Sequence, residues 1–188
     1  MKITFTIIQV NCYPDQFEKN FEKVKSYLFQ IPVADRHLVV LPELWTSGFS
    51  ENLELSHQTN QEIIPQLRSI AKQRHLIISG SYITKQNDNF YNQMIIIGAS
   101  NQVASYNKIN LFPSLNEYTN FKPGTTLSIL KIWNIKIGMA ICYDLRFPEI
   151  FRNYAAQKVE ICLLPAQWPS KRINHFNALL LAERLKIK

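Results

Sequence analysis

Residues 139–149 read MAICYDLRFPE, an apolar run that ends on a cysteine and passes at once into charged side chains. The run predicts the end of a buried strand, and Pro148 predicts the start of a helix, because its missing N–H costs nothing in a first turn. Cys142 is therefore either a small buried core residue or a nucleophile whose thiolate is stabilised by a helix N-terminus and a nearby cation. The ionisable groups that follow it favour the nucleophile.

Outward from this stretch, the apolar pattern alternates between strand and helix periods. β-Branched and aromatic runs predict eight strands, at residues 2–11, 37–43, 75–83, 89–99, 102–108, 125–133, 135–143 and 159–166. Apolar residues at helical spacing predict four helices. The first begins at Pro14, the second contains Ile63 and Leu67, the third begins near Pro148 and the last covers residues 176–188. Residues 109–124 are too rich in Pro, Asn and Gly for regular structure. This order predicts an α/β layered fold in which helices cover mixed sheets that pack face to face.

Composition narrows the classes of function. A chain of 188 residues suits one domain, and its net charge of +7 comes from 21 scattered Lys and Arg residues, unlike the basic stripe of a nucleic-acid-binding protein. The chain has three cysteines, Cys12, Cys142 and Cys162. Their odd number and wide spacing argue against a disulfide framework and against a zinc site. The four histidines also lack the spacing of metal ligands. We expect Cys12 and Cys162 in the core.

No apolar stretch approaches the roughly 20 residues that span a bilayer, and no signal cleavage site follows the first strand, so we expect a cytoplasmic protein.

Three reactive side chains lie at or just past the carboxyl ends of predicted strands. Glu43 follows LVVLP, Lys108 follows VASYN and Cys142 follows IGMAI. Ligands bind outside the carboxyl ends of strands in open α/β sheets. Each residue alone is typical of a surface or core position, but together they predict one site that combines a carboxylate, an ammonium and a thiol.

Three blocks of sequence resemble the signature blocks of the nitrilase superfamily of carbon–nitrogen hydrolases. The blocks are LPELWTSGF (41–49), YNKINLFPSLNEYTNFKPG (106–124) and GMAICYDLRFPE (138–149), in the family's order. The resemblance extends from the first strand to at least Trp168. It implies a four-layer α-β-β-α sandwich, a single carbon–nitrogen hydrolase domain over residues 1–188, and a homo-oligomer such as a dimer.

The resemblance also implies roles for individual residues. Glu43 takes the place of the general base, Lys108 that of the family's lysine, and Cys142 that of the nucleophile. Glu117 matches a second glutamate that orients the others. The thiolate of Cys142 would attack an amide carbonyl, while Lys108 and the backbone N–H of Tyr143 stabilise the oxyanion. The products are ammonia and a carboxylic acid, and the reaction needs no metal or organic cofactor.

The surrounding sequence gives weaker indications of the substrate. LPAQWPSKR (164–172) resembles the omega-amidase-like branch, which removes the terminal amide of short 2-oxo diacid monoamides. Arg146 either contacts an acidic substrate or ties its turn to Asp144 or Glu149, and the second interpretation is favoured. Trp168 either lines the pocket or covers apolar surface at its rim. The spacing from Cys142 to Arg146 is one residue short of the phosphate-binding loop of cysteine phosphatases, which argues against that class.

The C-terminal sequence departs from the family pattern. LLLAERLKIK (179–188) keeps the apolar start of the family's last helix and then ends, whereas family members continue with further strands. We therefore expect the domain to lack late C-terminal elements and to leave apolar surface uncovered. This leaves an alternative to the amidase: an inactive remnant, or a non-catalytic assembly partner of the same fold. A nucleic-acid-binding module is a third interpretation, which predicts salt-dependent DNA binding.

Overall fold

The structure is a computed structural model, and it describes residues 2–98 and 102–186. Its strands are β1 (Thr4–Ile7), β2 (His37–Val40), β3 (Leu76–Gln86), β4 (Asn89–Ile97), β5 (Gln102–Asn107), β6 (Ile129–Ile132), β7 (Ile135–Met139) and β8 (Ile161–Leu163). Its helices are α1 (Phe17–Gln30), α2 (Leu53–Arg74), α3 (Glu117–Asn120), α4 (Pro148–Ala156) and α5 (Ile173–Lys186). All eight predicted strands are present, in the predicted order.

The strands form two mixed sheets. The larger sheet has the order β1-β2-β3-β4-β5, in which β1, β2 and β3 are parallel and the pairs β3–β4 and β4–β5 are antiparallel. The smaller sheet has the order β6-β7-β8, with β6 antiparallel and β8 parallel to β7. It follows that β2 and β5 run in the same direction, so the residues after both strands emerge at the same edge of the larger sheet.

Strand alternation divides the larger sheet's apolar residues between two cores. Leu38, Met94 and Ile96 join one core with residues of the smaller sheet, among them Ile137 and Met139. Successive side chains of a strand point to opposite faces, so this core lies between the two sheets. The four-layer α-β-β-α arrangement predicted from the sequence is therefore confirmed.

Helices cover the two outer faces. Val39 and Ile78 pack with Leu28 of α1 and Leu67 of α2 in a second core, outside the larger sheet. On the smaller sheet, the third core is formed chiefly by α4, with contributions from α5, and includes Ile150, Phe151, Tyr154, Phe176 and Leu179. Within the described residues, no helix is long and apolar enough to cross a bilayer.

Two local predictions were wrong. Helix α1 begins at Phe17 rather than Pro14, because Asp15 has a left-handed backbone (φ 58°) that interrupts the chain between them. The segment 109–124 also has more structure than predicted, since it contains a 3₁₀ turn at Pro113–Leu115 followed by α3. The turn places Asn116 in the left-handed region (φ 53°), which suits asparagine and starts α3 at Glu117.

Candidate active site

Glu43 lies three residues after β2 and is completely buried. Both oxygens of its carboxylate are held by donors. Oε1 accepts hydrogen bonds from Asn92 Nδ2 (2.9 Å) and Lys108 Nζ (2.8 Å), and Oε2 accepts one from the backbone N–H of Gln167 (3.1 Å). Three separate segments of the chain therefore fix the orientation of this carboxylate.

Lys108 directly follows β5 and is also buried. Its backbone N–H donates to the carbonyl of Asn92 (2.9 Å), and its own carbonyl accepts from the N–H of Gly124 (2.8 Å). Gly124 has to be glycine here, because a Cβ would lie 2.2 Å from the carbonyl oxygen of Asn107. The second signature block therefore closes a loop whose two ends hold Lys108 in place.

Lys108 forms ion pairs with two carboxylates. Its Nζ lies 2.8 Å from Glu43 and 2.9 Å from Glu117. Burial disfavours the ammonium, but Glu43 and Glu117 together outweigh burial and raise the pKa of Lys108. Glu117 also accepts a hydrogen bond from the backbone N–H of Phe112 (2.6 Å), and burial raises the pKa of its carboxyl although Lys108 opposes this. The lysine is therefore a permanent cation shared between two acids.

Cys142 lies three residues after β7, at the start of a 3₁₀ turn that spans Cys142–Arg146. Its φ of 42° is in the left-handed region, which is strained for a residue with a side chain. Its backbone N–H donates to the carbonyl of Pro165 (2.9 Å). Burial raises the pKa of the thiol well above its usual value, the Glu43 carboxylate adds to this, and Lys108 opposes it. The environment therefore favours a neutral thiol, because burial outweighs the cation.

A pocket lined by these residues opens to the surface. Glu43, Lys108 and Cys142 form its buried end. Aromatic rings form part of its walls, and the described residues that contribute them are Phe49, Phe112, Tyr143 and Trp168. Arg146 and the exposed Arg172 also line it. Apolar walls with a few convergent polar groups are typical of sites that bind small molecules.

Arg146 does not make the ion pair that the sequence favoured. Asp144 accepts from other donors, and the guanidinium of Arg146 instead lies over the rings of Tyr143 and Trp168, 5.4 Å from each centroid. Its Nη2 lies 3.3 Å from Nδ1 of His175, and its buried Nε has no hydrogen-bond partner among the residues that the structure describes. Arg146 is therefore held by aromatic stacking, inside the pocket.

Trp168 combines both of its predicted placements. Its ring lines the pocket and also packs against Phe176 of α5, with ring centroids 5.0 Å apart. Its Nε1 donates to the carbonyl of Arg172 (3.2 Å). Trp168 therefore shapes the pocket wall and anchors the start of α5.

Sequence reasoning missed three residues that hold the site together: Asn92, Gln167 and Asp144. Asn92 and Gln167 both donate to Glu43, and Gln167 Nε2 makes a further bond of 2.6 Å to the Glu43 backbone carbonyl. Asn92 carried only a weak signal as a polar residue inside a predicted strand, because Gln93 beside it is polar too. Gln167 gave none, because it lies 124 positions from Glu43 in the sequence.

The comparisons with known proteins agree with this arrangement. The family model for carbon–nitrogen hydrolase matches residues 4–187. A 2-oxoglutaramate amidase from Bacillus subtilis is 30% identical over 99% of this chain and 73% of its own length. The omega-amidase YafV from Escherichia coli K12 is 29% identical over 82% of this chain and 59% of its own length. This chain therefore spans between about three-fifths and three-quarters of the length of these relatives.

Solved structures share the fold. XC1258 from Xanthomonas campestris, a CN-hydrolase superfamily protein, superimposes with a TM-score of 0.87 at 24% identity, over 95% of this chain and 70% of its own. An amidase from Nesterenkonia sp. gives a TM-score of 0.87 at 21% identity, over 96% and 71% of the two chains. The two layered sheets with Glu43, Lys108 and Cys142 at one pocket, and the match of the family model over nearly the whole sequence, lead to one conclusion: the chain belongs to the carbon–nitrogen hydrolase family.

Proposed function

We propose that this chain hydrolyses a small linear amide to a carboxylic acid and ammonia, through a thioester on Cys142. The observation that carries the proposal is the joint burial of Glu43, Lys108 and Cys142 at the end of one small pocket. In this proposal residues 1–188 form a single domain. Glu43 is the general base, Lys108 the oxyanion donor and Cys142 the nucleophile, while Glu117 orients Lys108.

Acylation begins with proton transfer from the thiol of Cys142 to Glu43. The raised pKa of the thiol means that a base has to take this proton as the sulfur attacks. Oε1 of Glu43 already accepts two hydrogen bonds, whereas Oε2 accepts one. Oε2 therefore has a lone pair free for the proton, and we assign the base function to it.

The carbonyl oxygen of the substrate gains negative charge as the carbon–sulfur bond forms. Lys108 Nζ and the backbone N–H of Tyr143 stabilise this oxyanion, and the loss of one such donor typically costs about 10²–10³ in rate. Glu43 then passes its proton to the departing nitrogen, which leaves as ammonia. A water molecule, deprotonated by Glu43, attacks the thioester and releases the carboxylic acid and the free thiol.

We propose a 2-oxo diacid monoamide as the substrate class. Two arginines line the pocket whose buried end holds the three reactive groups, which suits a short molecule with an amide at one end and an acid at the other. Arg146 holds its guanidinium between two aromatic rings, so it can receive a carboxylate without first breaking an ion pair. The relatives named 2-oxoglutaramate amidase and omega-amidase support the same class.

Two wider properties complete the proposal. We place the protein in the cytoplasm, where thiols stay reduced, because Cys12, Cys142 and Cys162 are all free. We also propose a homo-oligomer, such as a dimer. Exposed apolar side chains support association, among them Ile7 (78% exposed) and Val33 (71% exposed).

Ammonia release from purified protein tests the activity and its substrate class. The panel pairs a 2-oxo diacid monoamide with a neutral amide of the same length. We expect release with the acidic amide, none in Cys142→Ala, and a raised KM for the acidic amide alone in Arg146→Gln. Arg152→Gln is the matched control, because it removes an exposed arginine of α4. Folded wild-type protein that releases no ammonia would favour the inactive assembly partner.

A further inference from the structure

Asp144 is a buried carboxylate on which four hydrogen bonds converge. Oδ1 accepts from the backbone N–H of Asn110 (2.8 Å) and from its side-chain Nδ2 (2.9 Å). Oδ2 accepts from the hydroxyl of Tyr106 (2.8 Å) and from the backbone N–H of Ile141 (2.9 Å). Its side chain is completely buried. Both oxygens are thus occupied by fixed donors of the protein.

Two of the partners flank Lys108. Tyr106 lies two residues before it, near the end of β5, and Asn110 lies two residues after it. Asp144 therefore holds the chain on both sides of Lys108, through the side chain of Tyr106 and through the backbone and side chain of Asn110. Because Lys108 itself is buried and bonded to Asn92 and Gly124 through its backbone, this segment has little freedom to move.

The remaining bond acts on the nucleophile. Ile141 directly precedes Cys142, and Asp144 lies two residues after it, so the bond between them closes the turn around the cysteine. Cys142 has the strained positive φ of 42°. A strained backbone persists only where surrounding interactions fix it, and this bond is one that fixes it directly.

We propose that Asp144 is a positioning residue that sets the distance between the Lys108 ammonium and the Cys142 thiol. One carboxylate joins the segment around Lys108, from the larger sheet, to the turn at Cys142, from the smaller sheet. Asp144 does not touch the reacting atoms, and it acts through Tyr106, Asn110 and Ile141. The inference deepens the proposed function and rests on it.

The chemistry of the four donors explains why the residue is an acid. A carboxylate has two acceptor oxygens and can serve two donors on each. An asparagine of the same shape has one acceptor oxygen, and its NH₂ group would face two of the donors. Asp144→Asn therefore keeps the volume of the side chain but loses either the two bonds from Asn110 or those from Tyr106 and Ile141.

The test compares Asp144→Asn and Tyr106→Phe with the control Tyr154→Phe. Tyr154 is equally buried but lies in the outer core of the smaller sheet, where its hydroxyl donates to the backbone carbonyls of Met139 and Ser128. Three quantities are measured on each protein: the melting temperature, kcat and KM for the amide, and the rate at which iodoacetamide alkylates the peptide that carries Cys142. Tyr106→Phe removes one of the four donors and decides the matter if Asp144→Asn does not fold.

We expect kcat to fall by about 10²-fold in Asp144→Asn, because a displacement of the thiol by about 1 Å can cost that much in rate. In Tyr106→Phe we expect kcat to fall by a smaller factor. KM should change little, because substrate binding does not need the exact position of the thiol. Alkylation of Cys142 should slow in the same order, while Tyr154→Phe should lower the melting temperature and leave both rates unchanged.

Asp144→Asn with wild-type kcat and alkylation rate would overturn the inference, as would equal losses in Tyr154→Phe. Failure of the proposed function looks different, because the wild-type protein would then release no ammonia. In that case the alkylation rates of Cys142 still decide the role of Asp144.

Discussion

At the scale of the residue, burial and charge work against a resting thiolate at Cys142. The thiol lies in a buried pocket end beside the carboxylate of Glu43, and one cation, Lys108, is already paired with two acids. A further negative charge would be costly there until a substrate carbonyl accepts the electrons. In the mechanism that we propose, the thiolate therefore forms only as it reacts.

The raised pKa of Cys142 predicts the pH dependence of its alkylation. Iodoacetamide reacts with the thiolate, so its rate rises with pH until the thiol is fully ionised. Because burial raises the pKa of this thiol well above its usual value, we expect the alkylation rate at the Cys142 peptide to reach its midpoint at a higher pH than in unfolded protein. The same peptide in urea-unfolded protein is the control, and its midpoint should lie at about pH 8.5. A midpoint in the folded protein at or below that of the control would contradict the burial argument.

Glu117 provides a second prediction at this scale. In Glu117→Gln, Lys108 pairs with Glu43 alone, which opposes proton transfer from Cys142 to Glu43. We expect kcat to fall by about 10–10²-fold, since general-base catalysis contributes about 10²–10⁴ in total. Glu149→Gln makes the same charge change at an exposed position of α4 and should stay near wild type. Steady-state kinetics of ammonia release measure both, and unchanged turnover in Glu117→Gln would refute its orienting role.

The sequence predicted the three reactive side chains that share the pocket better than the residues that hold them. Glu43, Lys108 and Cys142 each follow a strand, and strand ends are visible in the apolar pattern. Their supports are not visible, because Gln167 reaches Glu43 and Asp144 reaches Tyr106 only after the two sheets pack. Arg146 was misjudged for the same reason, since the donors that occupy Asp144 come from a distant strand and loop.

At the scale of the element, the existence and order of the strands were predicted but their ends were not. The strand predicted at residues 2–11 covers only Thr4–Ile7, and that predicted at 159–166 covers only Ile161–Leu163. Apolar residues continue past both strands because they line the core or the pocket, not because they belong to a sheet. The segment 109–124 shows the opposite error, since Glu117 begins a helical turn that its Pro and Asn content concealed.

Helix α2 packs on the larger sheet through one face, and substitutions on and off that face test its contribution to stability. Leu67 is completely buried in the core outside the larger sheet, whereas Leu55 of the same helix is 43% exposed. Leu67→Ala should lower the free energy of unfolding by about 2–5 kcal/mol. Leu55→Ala is the matched control and should change it by no more than about 0.5 kcal/mol. Urea unfolding measures both, and equal effects would show that this face of α2 does not carry the packing.

At the scale of the whole molecule, the inner core and the active site both join the two sheets. Leu38 and Met94 of the larger sheet share a core with Ile137 and Met139 of the smaller one. The bonds of Gln167 and Asp144 cross between the same two halves. The catalytic geometry that we propose therefore depends on the sheets remaining packed.

This shared core predicts a single unfolding transition. Two variants with a single tryptophan each report on the two halves. One retains Trp45, in the core outside the larger sheet, and the other retains Trp133, which packs against the inner core. Their fluorescence and the far-UV circular dichroism should give coincident urea midpoints, as for one cooperative domain. Separate midpoints would indicate that the two sheets unfold independently, against the proposal of a single domain.

The central claim is that Cys142 carries the acyl group during hydrolysis. Acid quenching of the wild-type protein during turnover of a 2-oxo diacid monoamide, followed by mass spectrometry, tests it most directly. We predict an adduct whose mass equals the substrate minus ammonia, on the peptide that carries Cys142, and no adduct in Cys142→Ala. Ammonia release that persists in Cys142→Ala, or an acyl group found on another residue, would contradict the account.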